Sequence, residues 1–187
     1  MLIIMAGPSG VGKNAIINEL LKYYSNLEIM KSCTTRKPRN DKDDNYHYLT
    51  KQEFEKRKEN NEFFETEMVH SGDYYGVLSK SIDAVIEQEG DKDFIKDIDV
   101  NGSEKISAFL KGKAKVLKIF LDAPDEVLKE RLEKRGESPE KIAIRQSRYE
   151  YERQFKDKYD VVINNIVFDT TLKLVRQAIE KRKLAQI

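Results

Sequence analysis

Short apolar runs alternate along this chain with longer stretches whose apolar residues recur at helical spacing. Leu2-Ile3-Ile4-Met5 is continuous and branched, as in a strand covered on both faces of a parallel sheet. Ala15, Ile16, Leu20 and Leu21 then fall near one face of a helix that begins at Lys13. A short strand is predicted over 27–31 and a helix over 79–89, with Ile82, Val85 and Ile86 inward and Gly90 closing it. The pattern continues with a strand over 94–99, a helix over 102–110, a strand over 116–121 and a helix over 124–135. After a break at 136–139 come a helix over 140–154, a strand over 161–163 and a terminal helix over 170–186. Strands alternating with helices predict an α/β fold, a mainly parallel sheet flanked by helices. Residues 45–76 depart from that rhythm. Tyr46 to Leu49, a helical 51–60, Phe63-Phe64-Glu65 and Tyr74 to Val77 predict a small antiparallel patch inserted between two halves of the α/β unit.

Composition narrows the picture. The 187 residues suit one domain, 1–187, with a proper core. Lys plus Arg is 34 against 33 for Asp plus Glu, so the net charge of +1 gives no bulk field for nucleic acid, and any positive potential is local. The single cysteine, Cys33, excludes an intramolecular disulfide and reads as a small packed residue. The isolated His47 and His70 offer neither a zinc site nor a histidine base. With core strand at the start and no apolar segment long enough for a membrane span, a cytoplasmic protein without a membrane partner is expected.

The chemistry concentrates in a few places. Gly7, Pro8, Ser9, Gly10, Val11 and Gly12 form a glycine-rich turn between strand and helix, followed by Lys13. Such a loop aims backbone N–H groups at one point, where the helix N-terminus adds positive charge, and Lys13 reaches the terminal phosphates of a nucleotide. The usual motif continues with Ser or Thr, whose hydroxyl ligates magnesium; here Asn14 offers an amide oxygen instead. Residues 32–39 read as a rigid basic loop, in which Arg36 and Arg39 could clamp a phosphoryl group or be neutralised by Asp41, Asp43 and Asp44. Asp97 and Asp99 end a parallel strand, at the edge where the glycine loop opens. Arg131 and Arg135 share a helix face, and Arg145 and Arg148 follow.

The glycine loop, then Ser32, Thr34, Thr35, Arg36, Pro38 and Arg39, then Tyr46, Glu65 and the turn Asp73-Tyr74-Tyr75-Gly76 occur in the order of the guanylate kinase family, which the chain resembles from Leu2 to about Asn165. The resemblance implies a P-loop nucleoside monophosphate kinase fold. Its core would span 1–31, 78–125 and 156–187, with a GMP-binding lobe over 32–77 and a helical lid over 126–155. It implies ATP and GMP as substrates, with Mg2+. By resemblance Arg36, Arg39, Tyr46 and Tyr75 hold the acceptor phosphate, and Glu65 and Ser32 read the guanine. Asp97 and Asn14 serve magnesium or the phosphates, Asp99 lines the acceptor pocket, Asn164 touches the adenine, and Arg131, Arg135 and Arg145 close over the phosphates. The chemistry agrees: guanine presents N1–H and its exocyclic amine to one carboxylate, whereas adenine would leave that carboxylate unpaired. The chain departs from the family at Val77, where Ser or Thr is usual, and by an extra residue between Glu65 and Tyr75, which makes Glu67 a second candidate for the base. A binding module without catalysis, favoured by Asn14, and a kinase for another acceptor, favoured by Val77, are the alternatives.

Overall fold

A computed structural model describes residues 1–38, 46–68, 72–88 and 90–185. In chain order the elements are β1 (Leu2–Ala6), α1 (Lys13–Tyr23), β2 (Leu27–Ile29), β3 (Ser32–Thr34), β4 (Tyr46–Tyr48), α2 (Lys51–Glu59), β5 (Phe63–Met68), β6 (Tyr74–Leu78) and α3 (Ser79–Glu87). They continue with β7 (Asp93–Asp97), α4 (Val100–Leu110), β8 (Val116–Asp122), α5 (Asp125–Lys134), α6 (Pro139–Gln146), α7 (Tyr149–Arg153), β9 (Val161–Asn164) and α8 (Phe168–Leu184). Among the described residues no helix is long and apolar enough to cross a membrane.

Five strands form a parallel sheet in the order β2-β7-β1-β8-β9. β1 lies at its centre, and every residue of it is buried because helices cover both faces. Its alternate side chains enter different cores. Ile3 and Met5 join Ile16, Ile17 and Leu20 of α1 and Val175 and Ile179 of α8. Leu2 and Ile4 join Phe94, Ile82, Val85, Ile106 and Leu110 on the other face. That second cluster takes in Val77 of β6, so the residue that departs from the family pattern serves as core.

The second sheet runs β4-β3-β6-β5. Sequence analysis predicts an antiparallel patch, and β6 is antiparallel to both of its neighbours, but β3 and β4 run parallel, with Ser32 opposite Tyr46 and Thr34 opposite Tyr48. A parallel pair needs a connection of about a dozen residues rather than a tight hairpin, and residues 35–45 supply that length. The β5–β6 register slips between Phe63 and Glu65: Phe63 faces Leu78 and Glu65 faces Val77, leaving Phe64 as the bulged residue. Phe63 packs with Phe54, Cys33 and Leu78, whereas Phe64 packs into the core that holds Val77. Two successive residues, Phe64 and Glu65, are thereby turned toward the parallel sheet.

Several predicted boundaries move, among them the terminal helix, which runs over Phe168–Leu184. β7 stops at Asp97, and Asp99 caps α4 by accepting the N–H of Asn101 at 2.8 Å and of Gly102 at 3.2 Å, so the helix starts at Val100. The helix predicted over 140–154 divides into α6 and α7, and near the division the Ser147 hydroxyl donates to Ile144 O at 2.8 Å, a local bond that competes with helix continuation. The helix predicted over 79–89 is helical to Glu87, Glu89 lying outside the described residues.

Phe54 of α2 is fully buried and stacks on Phe63 at 4.6 Å between ring centroids. Phe54→Ala is expected to destabilise the protein by about 3–5 kcal/mol, through lost transfer energy plus a cavity. Urea unfolding is the measurement, and a loss below about 1 kcal/mol would show that the small sheet does not depend on this anchor.

Candidate active site

The turn out of β1 is set by main-chain crowding. Gly7 has φ 134°, and a Cβ there would stand 1.9 Å from the Leu121 carbonyl oxygen of β8. Gly12, also left-handed at φ 98°, precedes α1, whose N-terminus carries Lys13. Lys13 curls over the loop: its Nζ donates to Gly7 O at 2.5 Å and stands 3.8 Å from Asp97 Oδ1. The outer wall of the loop is built by residues far along the chain. Arg131 Nη1 donates to Val11 O at 3.2 Å and Nη2 to Asn165 O at 2.8 Å, while Asn165 Nδ2 donates to Val11 O at 2.6 Å. Arg145 Nη1 donates to Ser9 Oγ at 2.9 Å, and the buried Tyr149 donates its hydroxyl to Ser9 O at 3.1 Å. Three of these contacts fix main-chain carbonyls of the loop itself, so its shape depends on α5, α7 and the end of β9.

Arg135 and Arg145 converge on Glu137, at 2.5 Å and 3.2 Å. Burial alone would raise the Glu137 carboxyl, but hydrogen bonds and charge from the two guanidiniums outweigh it and hold the group below its ordinary range. Arg148 pairs with Glu152 at 3.5 Å, and the Glu152 carboxyl is raised by burial despite the nearby Lys13 and Arg148. Asn164, the residue expected at the adenine, lies exposed at the end of β9, while its neighbour Asn165 is buried against the loop.

The small sheet faces this loop. Arg36 lies over the rings of Tyr46 and Tyr48, at 5.4 and 5.6 Å, and its Nη2 donates to Tyr48 Oη at 3.3 Å. Tyr46 and Tyr75 meet edge to face at 5.7 Å, so three of the four predicted phosphate contacts share one patch. The fourth, Arg39, lies outside the described residues. Ser32 opens β3 and is buried, and its Oγ accepts from Lys96 Nζ at 2.6 Å. Asn14, Ser32, Tyr46, Lys96 and Asp97 line one cavity between the two sheets.

Glu65 lies against the start of α4, with Lys105 at 3.3 Å. Its carboxyl is raised mainly by burial, against the pull of Lys105. Gly102 makes the approach possible, because a Cβ there would stand 2.4 Å from Glu65 Oε1 and 2.5 Å from Ile98 Cδ1. Glu67 projects toward Asp99, and its carboxyl is pushed up to about 7, first by burial and then by the Asp99 charge and hydrogen bond. Sequence reasoning passed over Asn165, Glu137, Tyr149, Gly102 and Lys96. Of these, only Lys96 left a usable sign, a charge inside an apolar strand.

No group of three or more His, Cys, Asp or Glu side chains among the described residues could hold a metal alone. One carboxylate, Asp97, and one amide oxygen, Asn14, on a shared cavity fit a magnesium ion that takes its other ligands from phosphates and water.

A glycine loop at the carboxyl edge of a parallel sheet, faced by a second sheet carrying arginine, tyrosines and buried carboxylates, defines an α/β protein of the nucleotide-handling class. The family model described as guanylate kinase matches residues 1–182, and the chain belongs to that family. A guanylate kinase of Rickettsia felis is 35% identical over 183 residues, covering 96% of this chain and 92% of the relative. One of Bacteroides thetaiotaomicron is 37% identical over 188 residues, covering 96% and 90%. The crystal structure of guanylate kinase from Anaplasma phagocytophilum superposes with a TM-score of 0.74 at 21% identity, covering all of this chain and 87% of that one, and so agrees in fold.

Two outcomes follow from this geometry. Gly102→Ala adds a methyl group that presses on Glu65 and Ile98, and this crowding offsets the gain in helix propensity of about 1 kcal/mol. The melting temperature should hold or fall by a few degrees while KM for the acceptor nucleotide rises about tenfold, read from melting curves and steady-state kinetics. For Glu67, between its ordinary 4.5 and about 7 the folded protein binds more protons than the unfolded chain, so stability falls as pH rises through that window. Glu67→Gln removes the effect: the variant should gain on the wild type from pH 5 to pH 8, by about 1 kcal/mol after solvent screening, in urea titrations at both pH values.

Proposed function

We propose that the protein transfers the γ-phosphoryl group of ATP to GMP, giving ADP and GDP, as a P-loop enzyme of purine nucleotide metabolism in the cytoplasm with no nucleic-acid partner. The observation that carries this reading is that Ser32 and Tyr46 of the small sheet border one cavity with Asn14, next to Lys13, and Asp97, while Glu65, a carboxylate suited to guanine, lies within charge range of the Lys96 that bonds Ser32. Relatives above 30% identity that are named guanylate kinase support it.

In this reading residues 7–12 cradle the donor phosphates with main-chain N–H groups, and Lys13 leaves Gly7 O to follow the transferred group. Arg131 braces the loop, and Arg135 and Arg145 exchange Glu137 for phosphate oxygens, stabilising charge as transfer proceeds. Tyr46, Tyr75, Arg36 and Arg39 hold the acceptor phosphate, whose attacking oxygen is already ionised, so no general base is required and catalysis is positioning plus charge stabilisation. Glu65 accepts from guanine N1–H and the 2-amino group, Asp99 orders the start of α4 beside it, and Asn164 lies toward the donor base. Asn14 and Asp97 would hold a magnesium ion, which supplies neutralisation of phosphate charge when bound.

Coupled ADP production with GMP, AMP, CMP and UMP tests the assignment. GMP should be preferred to AMP by about a thousandfold in kcat/KM, because adenine leaves Glu65 unpaired, and Lys13→Met should abolish turnover. No turnover with any of the four would favour a binding module, and turnover with another acceptor but not with GMP a different kinase.

A further inference from the structure

Lys96 stands where β7 should be apolar. Its strand neighbour across the ladder is Ile4, its stem shares a face with Phe94, and it is 1% exposed. Burying an ammonium is costly unless its donors are satisfied. Its Nζ crosses from the parallel sheet to the small one, donating to Met30 O at 3.1 Å and to Ser32 Oγ at 2.6 Å. Asp97, Glu65 and Asp99 supply surrounding negative charge.

The bond to Ser32 has a directional consequence. A serine hydroxyl has one proton to give and two lone pairs, whereas an ammonium can only donate. With Lys96 on a lone pair, Ser32 cannot spend its proton on that partner, and its hydroxyl donates no hydrogen bond among the described residues. The hydroxyl borders the same cavity as Tyr46, Asn14 and Asp97.

We propose that Lys96 is a positioning residue for base selection: by occupying one of the two Ser32 lone pairs it turns that hydroxyl's proton toward the carbonyl oxygen at position 6 of the purine. Adenine carries an amine there, which cannot accept that proton. Ser32 and Glu65 then present a donor and an acceptor in the order that guanine complements. The inference rests on the reading of Ser32 as a base contact given above.

The test compares GMP with 6-thio-GMP, which keeps N1–H and the 2-amino group but carries a weaker acceptor at position 6. The wild type should prefer GMP by about tenfold in kcat/KM, the scale of one hydrogen bond. Ser32→Ala and Lys96→Met should each bring that ratio to within about twofold, the double variant should lose no more than either alone, and KM for ATP should not move. Lys96→Met exchanges a buried charge for an apolar chain of similar length, so its melting temperature should hold or rise; Lys96→Leu gives the same readout if it does not fold. If Ser32→Ala loses the preference and the Lys96 variants keep it, the proposal is overturned while the assignment of Ser32 stands. If Ser32→Ala itself keeps the preference, Ser32 does not read the base and both fall.

Discussion

A main-chain oxygen, Leu121 O, stands where any side chain at position 7 would have to go. The rest of the site is arranged around that crowding. β1 is buried on both faces at the centre of the sheet, so the chain leaves it at the sheet's carboxyl edge, and only glycine can turn there so close to β8. The turn fixes where α1 begins and therefore where Lys13 stands. It also leaves the carbonyls of Ser9 and Val11 facing outward, and these are what Tyr149, Arg131 and Asn165 hold. The loop is thus fixed from below by steric exclusion and from outside by hydrogen bonds from residues more than a hundred positions away.

Its electrostatics follow from the same compactness. Lys13, Lys96 and Arg148 stand within charge range of Asp97, Asp99, Glu65, Glu67 and Glu152. Burial raises several of these carboxyls, and the nearby cations only partly reverse the shift. Glu137 is the contrary case, where two guanidiniums win over burial. Burial thus holds several of these acids nearer their neutral form, which lessens the negative charge set against the neighbouring cations.

How much of this could be read from the chain depended on the range of the interaction. β1, the glycine turn and α1 are local, so their periods and the glycine spacing announced them. The gathering of Arg36, Tyr46, Tyr75, Ser32 and Glu65 followed from family resemblance and not from pattern. What escaped was tertiary. Asn165 and Tyr149 matter because of where they land, and nothing in their neighbours marks them. Phe94 to Asp99 reads as a strand ending in two carboxylates, yet the Asp99 carboxylate stops α4's first N–H groups from going unpaired, and that decides the boundary. The parallel pairing of β3 with β4 was hidden because short strands carry no sign of direction.

The bulge at Phe64 carries a consequence for recognition. An unbroken pleat sends consecutive side chains to opposite faces, so no ordinary strand could set an aromatic anchor and a carboxylate next to each other on one side. Here Phe64 meets Phe109 of α4 at 5.0 Å while Glu65 rests on Gly102 of the same helix. The acid proposed to discriminate among bases therefore takes its footing from a hydrophobic neighbour on the same two elements, and in that reading looser packing of that ring would surface as blurred selectivity before it surfaced as a weaker fold.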